Sequence, residues 1–122
     1  MSIYLDRAAT GPLRATAREA WLRASEVVGN PASVHAGGRA ARGVLEDARE
    51  SIAVSLGADP AEVVFTCGGT EADNLAVLGA MQAATRTGLT VSAVEHPAVL
   101  EAAREWERRG GEVVVAPVDS DG

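Results

Sequence analysis

The residues with the clearest chemical content lie in one stretch, Glu62 to Gly79, EVVFTCGGTEADNLAVLG. It reads as a short apolar strand over Val63 to Thr66, a two-glycine turn at Gly68 and Gly69, and a helix opening at Thr70. A strand that bends sharply into a helix leaves the first backbone N–H groups unpaired, with the positive end of the helix dipole behind them. Such an end seats phosphate. Neither glycine has a Cβ, so the backbone is free to take positive φ and an anion can approach the amides. Thr70 suits the N-cap, and Asp73 three positions later completes a capping-box pattern. The same letters also serve a tight turn with no ligand, because any strand-to-helix bend needs a glycine and a cap. Spacing alone leaves both readings open.

A few other side chains carry chemistry. His96 stands just before Pro97, where an imidazole serves as a cap, a packed loop residue or a ligand. Asn30 and His35 sit in a loop rich in turn residues, and Asn74 falls in the first turn of the phosphate helix. Cys67 is the only cysteine, which excludes an internal disulfide and any multi-cysteine metal site. At the end of a buried strand it is expected as a small apolar filler. All 11 basic residues are arginine, so the chain offers no lysine amine.

The totals fit one ordinary domain. A length of 122 residues is enough for a core, and 47% hydrophobic with 23% charged residues are globular values. No apolar run approaches the ~20 residues of a spanning helix. A net charge of −6 argues against nucleic acid and anionic membrane as partners. The amino end lacks a basic segment followed by an apolar one, so a cytoplasmic protein is expected.

Several elements must position these groups. Ile3 to Leu5 read as a brief extended segment, and Pro12 fits the first turn of a helix. In that helix Leu13, Ala17, Ala20, Trp21, Ala24, Val27 and Val28 form one apolar face that should pack on something. The Gly29 to Arg39 segment, GNPASVHAGGR, is a loop of the kind often found at sites. A second helix is expected from about Ala40 to Leu56, with Val44, Leu45, Ala48, Ile52 and Leu56 on one side and Gly57 as its stop. Asp59 and Pro60 turn the chain into the strand at Val63.

Beyond the phosphate helix, Thr90 to Val94 is β-rich and Pro97 opens another helix. Val99, Leu100, Ala103 and Trp106 should face inward there, and Glu105 can pair with Arg109. Gly110 and Gly111 end it, and Val113 to Val115 give one more strand. The division expected is a helical arm and loop over residues 1–57 and a βαβαβ unit over 58–122. Short crossovers of this kind make a parallel sheet with helices packed on it.

Four motifs, YLDRAAT, GNPASVH, FTCGGTEADN and VEHPAVL, stand in the order and spacing of the amino-terminal part of cysteine desulfurases, and the chain resembles that family over essentially its whole length. The resemblance implies a pyridoxal-phosphate enzyme of the class V aminotransferase group. Its fold would be α/β: a three-layer, mainly parallel sheet with flanking helices, part of the aspartate-aminotransferase type. It also implies that Gly69 and Thr70 bind the cofactor phosphate, that His96 stacks on the pyridine ring and takes part in proton transfer, and that Asn74 touches the site. Departures are Arg7 and Gly11 in the opening motif, and Cys67 where serine is more usual. Cys67 is not the persulfide-forming cysteine, which in that family lies much nearer the carboxyl end.

In such enzymes a lysine carries the cofactor, L-cysteine is the substrate, and the products are L-alanine and an enzyme persulfide destined for iron-sulfur cluster assembly or another sulfur acceptor. Full-length relatives are homodimers. Having no lysine, this chain is expected to be the amino-terminal portion of such an enzyme and inactive alone. Alternatives are a non-catalytic α/β module that binds a phosphate-bearing ligand, and a pseudoenzyme fragment that acts through a partner at the Gly29 to Arg39 loop. A reading frame that continues into a lysine-bearing segment distinguishes the enzyme from both. Val113 to Val118 on an uncovered sheet edge is an expected aggregation hazard.

Overall fold

The computed structural model describes residues 3–122, in the element order α1 (Ala15–Ser25), α2 (Ala36–Leu56), a 3₁₀ turn (Pro60–Glu62), α3 (Gly69–Ala83), β1 (Gly88–Ser92), α4 (Pro97–Arg108) and β2 (Glu112–Ala116). Residues through Val63 form one compact unit, and Val64–Gly122 form a second.

In the first unit α2 dominates. It starts at Ala36 with His35 as N-cap, four residues earlier than the sequence suggests, because the imidazole Nδ1 accepts the Gly38 N–H at 3.3 Å and lets the helix start inside the glycine-rich loop. Gly29 and Gly38 are required by close approach. A Cβ at Gly29 would overlap the Gly37 carbonyl, and one at Gly38 the Ser33 carbonyl. The other end stops as expected at Gly57, whose φ of 66° and ψ of 31° are the left-handed C′ conformation. Asp59 and Glu62 then close a full capping box around the 3₁₀ turn, with Pro60 in its first position.

The buried stripe of α2 runs through Gly38, Ala41, Leu45, Arg49 and Ala53, and only Gly38 and Ala53 are fully buried. The expected face through Val44, Ile52 and Leu56 is instead exposed, because α2 packs against the 3₁₀ turn and its own leading loop and no other element covers its remaining apolar side. The same holds for α1. It begins at Ala15 with Arg14 as an uncapped N-cap, so Pro12 precedes the first turn, and none of its residues is buried; Trp21 is 65% exposed. Ile3 to Leu5 have no ladder partner among the described residues.

The second unit is a parallel strand–helix–strand. β1 and β2 pair in register from Gly88↔Glu112 to Ser92↔Ala116. Val91, Val113 and Val115 share a face of the ladder with the α4 side chains Leu100 and Ala103, around a groove of about 340 Å³. α4 packs on both strands and on α3. Its buried positions are Ala98, Ala102 and Ala103, small residues that allow close helix approach, whereas Val99, Leu100 and Trp106 are only half-buried. Pro97 holds the first position of α4 as expected.

The strand expected at Val63 to Thr66 does not form a ladder. Val63 is extended (φ −91°, ψ 116°), its carbonyl accepts the Arg49 guanidinium, and the boundary between the two units follows it. A β-strand exists only through hydrogen bonds to a neighbour, and no described strand lies beside this segment. The sheet among the described residues therefore has two strands, not three.

Candidate functional site

The bend between Thr66 and Asn74 is built from four local contacts. Gly68 is the N-cap of α3, with φ 164° and ψ 179°, and its carbonyl accepts the Ala72 N–H at 3.1 Å. That conformation is extended, so the freedom to take positive φ is not used at Gly68 or Gly69; among the described residues the positive-φ positions are Gly57, Gly110 and Gly122. What both glycines contribute is openness, since a Cβ at either would meet nothing within 4 Å. The Thr66 hydroxyl donates to the Gly68 carbonyl at 3.1 Å.

Glu71 completes the bend. Counted from Gly68 it is the third residue of the helix, and its Oε2 accepts the backbone N–H of Cys67 at 2.7 Å. This bond resembles the reach-back half of a capping box but ends on the residue before the N-cap, and the cap itself stands two residues earlier than the pattern assigned to Thr70 and Asp73. Thr70 is the second helical residue, not the N-cap, and its hydroxyl is therefore left without a partner among the described residues. The N–H groups of Gly69 and Thr70 are likewise unpaired, as the first turn of any helix leaves them. Sequence reasoning passed over Glu71; a glutamate three positions after the first glycine was the signal available for it.

Asn74 lies one turn further on. Its side-chain amide donates to the Thr70 carbonyl at 2.8 Å, and its Oδ1 has no partner among the described residues. Cys67, Gly68, Gly69, Thr70, Glu71 and Asn74 line a shallow concavity of about 440 Å³. Cys67 is exposed there, so the expectation of a buried filler is corrected: with no strand pairing, nothing covers it. The donor set, two free amides, a hydroxyl and a helix N-terminus, suits the phosphate of a cofactor. A single acid, Glu71, opposes it electrostatically.

His96 is placed at the N-terminus of α4, the helix against which α3 packs. Its Nδ1 accepts the Ala98 N–H at 3.1 Å, so in the neutral ring the proton resides on Nε2. The imidazole is exposed and is not part of the lining of the Thr70 concavity. The structure thus brings Gly69, Thr70 and Asn74 together around one hollow and holds His96 apart from it as a cap. Asn30 and His35 perform turn chemistry, Asn30 by accepting the Ala32 N–H at 2.9 Å and His35 as the cap of α2. Among the described residues no cluster of acids, histidines and cysteine could hold a metal ion, and no helix is long and apolar enough to cross a membrane.

A parallel strand–helix–strand beside an open helix N-terminus defines the class as α/β, with helices packed on a parallel sheet. The model of the aminotransferase class-V family matches residues 3–122, and the chain belongs to that family. It is 45% identical to an IscS-like cysteine desulfurase of Mycobacterium tuberculosis, over 98% of this chain and 32% of that protein. Among solved structures, a NifS-like protein superposes with a TM-score of 0.83 at 33% identity, covering 98% of this chain and 34% of the other. The structure described as SspA in complex with cysteine gives a TM-score of 0.75 at 34% identity, covering 88% and 32%. The chain spans about a third of the length of the relatives it matches.

Proposed function

We propose that this chain is part of a pyridoxal-phosphate-dependent cysteine desulfurase and that it furnishes the seat for the cofactor's phosphate. The observation that carries the reading is the set of unpaired donors at Gly69 and Thr70, open to the hollow beside Asn74. When bound, pyridoxal phosphate supplies an electron sink that weakens bonds around the substrate's amine-bearing carbon. The Gly69 and Thr70 amides and the Thr70 hydroxyl would hold the phosphate, and Asn74 fixes the turn through its bond to the Thr70 carbonyl. His96 would lie against the pyridine ring, with the proton of its neutral ring at Nε2 because Nδ1 accepts the Ala98 N–H. Closing His96 over the ring requires the two helix ends to converge on one ligand.

L-cysteine is the substrate in this reading, with L-alanine and an enzyme-bound persulfide as products; that a relative's structure holds cysteine supports it. A sulfur-acceptor protein, a homodimeric assembly and a cytoplasmic setting belong to the same proposal. Because the chain has no lysine, the amine that carries the cofactor comes from elsewhere and these residues hold the cofactor by its phosphate and ring alone. A helix terminus contributes about 0.3–1 kcal/mol toward an anion and up to ~2 when partly buried, whereas millimolar binding needs roughly 4 kcal/mol. Weak binding follows. The absence of lysine also favours a second reading, in which the same seat serves a non-catalytic phosphate-binding module.

The test is a titration of the chain with pyridoxal phosphate, followed by the amide resonances of Gly69 and Thr70, with pyridoxal as the phosphate-free control. Saturable, phosphate-dependent shifts that Thr70→Ala weakens are expected, with no sulfide released from cysteine. Equal shifts with pyridoxal, or robust turnover by the purified chain, would overturn the assignment.

A further inference from the structure

We infer that Glu71 is a positioning residue of the phosphate seat: its carboxylate holds the Cys67 N–H and so fixes the bend that leaves the Gly69 and Thr70 donors free. The inference rests on the phosphate-seat reading above and adds a residue to it.

The geometry gives Glu71 two opposed effects on an anion. Its Oε2 accepts the Cys67 N–H at 2.7 Å, a bond to a charged acceptor and so stronger than a neutral one. That bond spans the two glycines, the part of the bend with the most backbone freedom to lose. Among the described residues two other bonds hold this segment, from the Thr66 hydroxyl to the Gly68 carbonyl and from the Ala72 N–H to the same carbonyl. Both end on Gly68, and neither reaches back to Cys67. Without Glu71 the Cys67–Gly68 segment is tethered on one side alone, and the amides at Gly69 and Thr70 lose their common direction.

Against this stands charge. The same carboxylate lines the hollow in which a phosphate would sit and repels it. Its exposure to water screens that repulsion, so ordering the bend outweighs it. Two substitutions separate the effects. Glu71→Gln keeps an oxygen that can accept the Cys67 N–H and removes the charge; Glu71→Ala removes both.

The experiment measures pyridoxal phosphate affinity of the wild-type chain, Glu71→Gln and Glu71→Ala by the Gly69 and Thr70 amide shifts, together with hydrogen exchange at the Cys67 amide. Glu71→Gln is expected to bind as tightly as wild type or about threefold tighter, with the Cys67 amide still protected. Glu71→Ala should bind about fivefold more weakly than Glu71→Gln, in line with the loss of one capping bond, and its Cys67 amide should exchange freely. Binding by Glu71→Ala as tight as that of Glu71→Gln overturns the inference alone. Binding by Glu71→Gln as weak as that of Glu71→Ala overturns it too, since charge and not the bond would then matter. Failure of the wild-type chain to bind overturns the seat itself, and the inference with it.

Discussion

The indole Nε1 of Trp106 donates to the Thr87 carbonyl at 2.8 Å, which ties the last turn of α4 to the segment leading into β1. The ring lies flat against Gly111, where a Cβ would overlap Nε1, Cδ1 and Cε2. Gly111 is not at positive φ, so it is glycine for room and not for backbone shape. Gly111→Ala should push the indole off its seat, break the bond to Thr87 and cost the second unit about 1–2 kcal/mol. Urea denaturation followed by tryptophan fluorescence reads the loss.

Gly38 makes a comparable prediction in the first unit. Its Cβ would overlap the Ser33 carbonyl, which is backbone and cannot swing aside as a side chain can. Gly38→Ala should therefore displace the loop from the start of α2 and cost about 1–3 kcal/mol. Amide exchange at Arg39 and the following residues should accelerate, whereas Gly43→Ala, at a position with open space, should leave it unchanged or slower.

These glycines also mark where the letters were informative and where they were not. Gly57, Pro97 and the Glu105–Arg109 pair were legible because each acts within a few residues of itself. The helices were legible from periodicity and the two strands from β-rich runs, although β1 occupies Gly88–Ser92 and not Thr90 to Val94. The strand at Val63 to Thr66 was misread because an apolar run shows a tendency to extend, whereas a ladder needs a neighbour that no local pattern supplies. For the same reason the apolar faces of α1 and α2 were expected to be covered and are not. At the candidate site, the glycines and Thr70 were legible as a helix opening. The cap assignment slipped by two residues, because Gly68 and Thr70 are both acceptable N-caps and Glu71 and Asp73 are both acceptable partners.

Acid should act on α4 through Glu105. The Arg109 guanidinium, and after it Arg108, hold its carboxyl below the usual value of 4.5, with bonds of 2.8 Å from Arg109 Nε and 2.9 Å from Arg108 Nε. A carboxylate depressed in the folded state adds stability that is present above its unfolded value and is lost as pH falls through the folded one. Helicity should thus fall more steeply below pH 4.5 in wild type than in Glu105→Gln. Because the carboxylate is solvent-exposed, raising the salt concentration should shrink the difference between the two. Identical acid titrations by circular dichroism would remove Glu105 as the source.

His96 has a demonstrable task as the cap of α4 and a proposed one as a ring over the cofactor, and two substitutions divide them. Asn at this position can accept the Ala98 N–H but has no ring; Phe has a ring but no acceptor. His96→Asn should keep the stability of the second unit near wild type, and His96→Phe should lower it by about 0.5–1 kcal/mol through the lost cap. Pyridoxal phosphate affinity should follow the opposite order. Aromatic stacking contributes about 0.5–1.5 kcal/mol, so His96→Asn should bind roughly two- to tenfold more weakly, while His96→Phe keeps most of that contribution in whatever fraction remains folded. Thermal melts and affinity measured on the same samples give the two orders independently. If affinity instead tracks stability across both variants, His96 is a cap alone, and the ring of the cofactor must find its partner elsewhere.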